Sequence, residues 1–130
     1  MEVLLLPVGE ELYSVPIQAF REVVVAPRLT RLPTAPDSVL GLINVRGEIV
    51  PLLDIAALMG VGSTANGAFA AVLDTAAGRA AVATTAPPSS QALGRRTGMS
   101  SVTGARGVYS QGDRLAVLID FDTVLAGLHT

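Results

Sequence analysis

Cysteine, lysine and tryptophan are all absent from these 130 residues, and histidine occurs once. Without cysteine, neither a disulfide framework nor a thiolate metal site is available. Without lysine, all nine basic residues are arginines, set against eleven acidic residues for a net charge of −2. No basic run is present to neutralise phosphates, the source of most nucleic-acid affinity, so a nucleic-acid partner is not expected. The aromatics are Phe20, Phe69, Phe121, Tyr13 and Tyr109, too few to offer a base-stacking platform. Ala, Val and Leu must therefore fill the interior, which suits thin β-layers. No uninterrupted apolar stretch of about 18 residues exists to span a bilayer, so direct membrane insertion is not expected. Glu2 stands where a signal peptide would be basic, and the apolar run Val3 to Leu6 is short for one. A cytoplasmic protein is the expectation.

Catalytic groups are equally scarce. His129 lies at a chain end, where fraying defeats precise geometry. Asp120-Phe121-Asp122 offers two carboxylates with no third ligand nearby, so an N-cap and a solvated acid account for them. Ser89-Ser90 and Ser100-Ser101 have no histidine partner, and Gly104-Ala105-Arg106-Gly107 is too short for a phosphate cradle. No catalytic residue, metal ligand or cofactor is predicted.

What is present is strand-forming sequence. Val3–Val8 and Leu12–Val15 flank the turn signal Gly9-Glu10-Glu11 and read as a hairpin. Pro16 opens a short segment with Ile17, Phe20 and Val23 at helical spacing, and the chain extends again through Val25. Thr30–Pro36, with two prolines, reads as an ordered crossover. Val39–Val45 and Glu48–Leu53 form the clearest hairpin, around Arg46-Gly47. Asp54 before Ile55-Ala56-Ala57-Leu58-Met59, with Gly60 after, predicts a capped short helix. Residues 63–67 read as a linker, and Phe69–Leu73 with Arg79–Thr84 as another hairpin. From Pro87 to Gly107 the composition is Ser, Gly, Thr and Pro with Arg95, Arg96 and Arg106, predicting a long loop with a helical turn near Gln91–Leu93. Val108–Tyr109 and Leu115–Ile119 close the sheet, and a last short helix runs through Val124-Leu125.

One pattern recurs. A glycine turn, an apolar strand, an aspartate and a short helix appear at Gly47–Gly60 and again at Gly112–Gly127. The two aspartates, Asp54 and Asp120, are 66 residues apart (120 − 54), about half the chain. Two similar β-barrels in tandem are the simplest reading. Arg46 is the most informative charge. It is either a solvated turn arginine loosely paired with Glu48 or a binding arginine presented by a rigid hairpin.

The stretch from Thr30-Arg31-Leu32-Pro33 through Gly41-Leu42-Ile43-Asn44-Val45-Arg46-Gly47 to Val50-Pro51-Leu52-Leu53-Asp54 resembles the signature of CheW-like domains. Tyr13-Ser14-Val15-Pro16-Ile17 and Arg21-Glu22-Val23 match it upstream. The resemblance implies an all-β fold of two intertwined five-stranded SH3-like barrels with short capping helices. Residues 1–62 would form mostly the first and 63–130 mostly the second. It also implies a non-catalytic adaptor that couples chemoreceptor cytoplasmic tips to the regulatory domain of a CheA-type histidine kinase. By position, Phe20, Glu22, Gly41, Asn44, Val45, Arg46 and Gly47 fall on the partner-binding surface or shape it. The second half departs from the family pattern. Where a Val-Asp-x-Val-like strand lines the receptor groove, this chain has Ala83-Thr84-Thr85-Ala86-Pro87-Pro88-Ser89-Ser90. Two alternatives follow: a divergent scaffold that has lost receptor binding, or a regulatory domain holding a small anion between the barrels.

Overall fold

A computed structural model describes residues 1–61, 67–99 and 104–126. In chain order the first strands are β1 (Glu2–Val8), β2 (Glu11–Pro16) and, after a 3-10 turn over Ile17–Ala19, β3 (Phe20–Val25). Next come β4 (Val39–Val45), β5 (Glu48–Leu53) and helix α1 (Ile55–Leu58), then β6 (Phe69–Thr75) and β7 (Gly78–Thr84). Four more strands follow: β8 (Ser89–Ala92), β9 (Arg96–Gly98), β10 (Ala105–Gln111) and β11 (Arg114–Ile119). Helix α2 (Phe121–Ala126) ends the described chain.

The strands form two sheets, one of five strands in the order β3-β6-β7-β5-β4 and one of six in the order β8-β1-β2-β11-β10-β9. The all-β expectation holds, with one correction to the barrels. Neither sheet is closed by a continuous ladder. In the five-stranded sheet the chain beyond β3 returns to β4 through one bridge, Thr30 with Leu42. Each of these two residues donates its N–H to the other's carbonyl at 2.8 Å. In the six-stranded sheet the two edge strands are neighbours in sequence: β8 pairs with β1, β9 pairs with β10, and Leu93–Arg95 joins them. Gln111 fills the break. Its Oε1 accepts from the Gly94 N–H, and its Nε2 donates to the Ala92 carbonyl at 3.2 Å.

The two sheets are interleaved along the chain. The six-stranded sheet takes its strands from residues 2–16, 89–98 and 105–119, and the five-stranded sheet from 20–53 and 69–84. Parallel pairs join the distant parts: β5 with β7 at Leu52↔Ala81, and β11 with β2 at Leu118↔Ser14.

Alternation along the strands explains the packing, because successive side chains face opposite sides. Ile43, Val45, Val50, Leu52, Val72 and Ala81 pack within the five-stranded sheet. Val3, Leu5, Leu12, Ala116 and Leu118 do the same within the six-stranded sheet. The largest cluster lies between them. It joins Leu4, Leu6, Val15 and Ile119 of one sheet to Leu53, Leu73 and Val82 of the other. Buried side chains of this size contribute about 1.5–3 kcal/mol each, so the two sheets fold as one unit.

Both helices are too short to persist alone and depend on this shared cluster. Ile55 and Ala56 of α1 and Phe121 and Val124 of α2 are buried in it. Asp54 caps α1 as its position predicts, with Oδ1 accepting from the N–H of Ala56 at 3.0 Å and of Ala57 at 3.3 Å. Asp120 accepts from the Thr123 N–H at 3.3 Å.

The region from Pro87 to Gly107 departs from the long loop and helical turn expected of it. It contains β8 and β9, with Gln91 and Ala92 extended, and β10 begins at Ala105. Pro87 and Pro88 do interrupt the strand, but the chain then resumes in the other sheet. The Thr85 N–H donates to the Pro7 carbonyl at 2.9 Å where it crosses. Residues 63–66 of the expected linker, Ser100, Ser101, Gly127 and His129 lie outside the described residues.

Candidate functional site

The β4–β5 hairpin is built to hold one arginine in a fixed place. Val45 pairs with Glu48 across a two-residue turn, Arg46-Gly47. Both turn residues have positive φ, +52° at Arg46 and +87° at Gly47, the geometry whose twist suits a hairpin. Glycine adopts it freely, whereas an arginine in that region is uncommon and must be held there. Asn44 helps to hold it: its Oδ1 accepts from the Gly47 N–H at 2.8 Å. Val45 beside it is buried and anchors the strand end in the core of the sheet.

The side chain of Arg46 does not pair with Glu48. Its Nε donates to both carboxylate oxygens of Glu22, at 3.0 and 3.2 Å. Glu22 lies on β3 and Arg46 beside β4, and these strands are the opposite edges of the five-stranded sheet. The ion pair therefore spans the gap that backbone pairing leaves open. Arg46 keeps 82% of its side chain exposed, against 31% for Glu22. With Nε committed to Glu22 and the side chain mostly exposed, the guanidinium stays open to solvent. That leaves a planar fork for a carboxylate or carbonyl on a partner. At this exposure the pair contributes about 0–1 kcal/mol to stability. Stability is therefore a poor reason for the arrangement.

Glu48 is engaged elsewhere, accepting from Arg79 at 3.2 Å. Arg79 also meets Asp74 at 3.2 Å, and Asp74 pairs with Arg21. These four residues form an ordered row across β3, β6, β7 and β5. The Arg21 hydrogen bond, with Arg79 adding to it, holds the Asp74 carboxyl below its usual range.

Phe20 and Gly41 shape the site without presenting a polar group. Phe20 is half-buried, pairs with Leu73 and packs on the shared cluster. Gly41 is buried at a bulge in β4, and any Cβ there would meet the Thr30 carbonyl and stand 2.8 Å from Leu29 Cδ1. Glycine is required because the crossover runs against the strand at this point. The sequence-predicted residues thus separate into a polar group (Glu22, Asn44, Arg46, Gly47) and its supports (Phe20, Gly41, Val45). Sequence reasoning missed Ile49, which is 59% exposed beside the same turn. The signal was there: an isoleucine one residue from a turn, on the face opposite buried Val50.

A cleft of about 370 Å³ lies between the sheets, lined by Val15, Pro16, Leu118, Phe121, Asp122 and Arg106 among others. Its arginine is already engaged, since Arg106 donates to Asp120 at 2.6 Å. This bond, with that from Thr123, holds the Asp120 carboxyl below its usual range. The anion expected of a ligand-binding regulator would have to compete with Asp120. Among the described residues, no three or more His, Asp or Glu side chains are grouped to hold a metal ion. No described helix is long and apolar enough to cross a membrane.

Comparison with known proteins identifies relatives of the chain and of its fold. The chemotaxis protein CheW of Rhizobium meliloti (strain 1021) is 38% identical over 60 residues, covering 46% of this chain and 39% of that protein. The chemotaxis protein CheW of Helicobacter pylori (strain ATCC 700392 / 26695) is 40% identical over 48 residues, covering 37% of this chain and 29% of that protein. These aligned stretches span well under half the length of either relative. In three dimensions the chain is similar to the scaffolding protein TtCheW from Thermoanaerobacter tengcongensis. The TM-score is 0.78 at 20% identity, over 95% of this chain and 90% of that one, a likeness of fold. The family model of the CheW-like domain matches residues 2–128, and the chain belongs to that family.

Proposed function

We propose that this chain is a non-catalytic adaptor of chemosensory signalling, working in the cytoplasm. It joins the regulatory domain of a CheA-type histidine kinase to the cytoplasmic tip of a chemoreceptor. The observation that carries the reading is the Glu22–Arg46 pair. A strained turn, an Asn44 hydrogen bond and an edge-to-edge ion pair all serve to hold one exposed guanidinium in place. Such an arrangement stabilises the fold little and suits recognition of a partner's acidic or carbonyl group. Ile49 beside it supplies an apolar contact, as small interfaces combine a few apolar anchors with a polar rim.

The membership of the family supports the same reading, as do relatives named as chemotaxis proteins. Phe20, Gly41 and Val45 act by shaping the surface; Glu22, Asn44, Arg46 and Gly47 form it. The test is a pull-down with the purified chain as bait from a lysate of its own organism, read by mass spectrometry. Recovery of a histidine kinase, with or without receptors, is the expected result. Recovery of neither would remove the adaptor reading.

A further inference from the structure

The two halves of the chain repeat, and one acidic residue breaks the repeat. Asp120 is the counterpart of Asp54, and each caps the helix that follows. Two residues on, Ala56 is buried in α1, whereas its counterpart in α2 is the exposed Asp122. Solvation was its expected role. Instead its Oδ1 accepts from the backbone N–H of Ala76 at 2.9 Å. Ala76 is the first residue of the β6–β7 turn, in the other sheet. Helix α2 sits astride this turn. Phe121 and Asp122 line the cleft on one side, and Leu125 lines a smaller crevice of about 200 Å³ with Thr75, Ala77 and Gly78 on the other. The strands leaving the turn carry Asp74 and Arg79, the centre of the ion-pair row that ends at Glu48 beside the Arg46 turn.

We infer that Asp122 is a positioning residue, a pin that fixes α2 of the six-stranded sheet to the β6–β7 turn of the five-stranded sheet. Helical capping does not need it, because Asp120 already does that work. Its hydrogen bond adds a directional contact to the apolar packing of α2 near this turn, where Leu125 lines a crevice with Thr75 and Ala77. The bond therefore fixes where α2 lies on the β6–β7 turn, and with it the relation of the Arg46 surface to any surface on α2. This last step rests on the adaptor reading and extends it to a partner that touches α2 as well as the Arg46 surface.

The experiment compares the Asp122→Ala and Asp122→Asn proteins with wild type by amide hydrogen exchange. In Asp122→Ala the Ala76 amide should exchange about fivefold faster, the loss expected for one hydrogen bond. In Asp122→Asn the side-chain oxygen still accepts, and exchange should stay at the wild-type rate. An unchanged Ala76 rate in Asp122→Ala overturns the inference, as does an Asn variant that exchanges like the Ala variant. A parallel titration with the kinase regulatory domain should show weaker binding for Asp122→Ala and wild-type binding for Asp122→Asn. If wild type binds no kinase while the exchange pattern holds, the adaptor reading fails and the pin stands.

Discussion

The β4–β5 and β10–β11 hairpins occupy equivalent places in the two sheets, and what they share differs in kind from what they do not. Both have a buried glycine at a bulge, Gly41 and Gly107. The residue after each, Leu42 and Val108, pairs with a segment closing the sheet, at Thr30 and Gly98. Both end in an aspartate cap and a helix buried in the shared cluster. Both expose one large aliphatic side chain near the turn, Ile49 at 59% and Leu115 at 60%. These common features make the frame. The turns themselves differ. The first holds Arg46 against Glu22, and the second has Gly112-Asp113 with Arg114 donating to the Glu10 carbonyl at 3.1 Å. The repeat therefore separates the shared frame from features found in one half only, and Arg46 and Asp122 fall on the second side.

The largest expected effect tests the glycines. Gly41→Ala should destabilise by about 2–3 kcal/mol, because its Cβ meets backbone that cannot move aside. Gly107→Ala should lose about 1–2 kcal/mol, since the nearest atom is Arg96 Nε at 3.2 Å, on a side chain that can swing away. Urea denaturation would rank them, and equal losses would show that close approach is not what distinguishes the two bulges.

The caps come next. Asp54→Ala should cost about 2 kcal/mol and Asp120→Ala about 1 kcal/mol, because Asp54 is fully buried and accepts from two amides. The same denaturation series reads the difference, and the reverse order would contradict the assignment.

Titration gives a third comparison. Asp74 and Asp120 have depressed carboxyl pKa values in the folded protein. Their contribution to stability is therefore complete above the unfolded value of about 3.9 and is lost as pH falls through the folded values. Acid unfolding should begin below about pH 4, and removing Arg106 should weaken the Asp120 part of that dependence. Burial pushes the Tyr13 phenol up. Its stabilisation is present below about pH 10 and fades above it, and Tyr13→Phe should abolish that alkaline limb. Thermal unfolding followed against pH checks both.

The smallest effect on stability belongs to the residues with the largest proposed role. Glu22→Lys and Arg46→Glu should each change stability by under about 1 kcal/mol.

The sequence made the hairpins and capped helices legible because their signals are local: turn residues, alternation and an aspartate before a short apolar run. The strands β8 and β9 were illegible for the opposite reason. Ser89, Ser90, Gln91 and Ala92 are all exposed, so no alternation marks them, and their partner strand begins at Glu2. Gln111, which holds their junction, stands beside the Gly112 turn, and nothing local in the sequence marks that role. Within the site, the motif located Arg46 and Glu22 separately. Their contact across 24 residues was not readable from local spacing, and nearby Glu48 was the natural but incorrect partner. Asp122 was hidden in the same way, since its acceptor role depends on a turn in the other sheet.

The most direct measurement is calorimetric titration of the kinase regulatory domain and of a receptor-tip fragment into wild type, Glu22→Lys and Arg46→Glu proteins. The three proteins would first be shown to unfold at closely similar urea midpoints. The account predicts that wild type binds, and that both variants lose at least tenfold in affinity for one of these partners at nearly unchanged stability. Variants that bind every partner as well as wild type would contradict it.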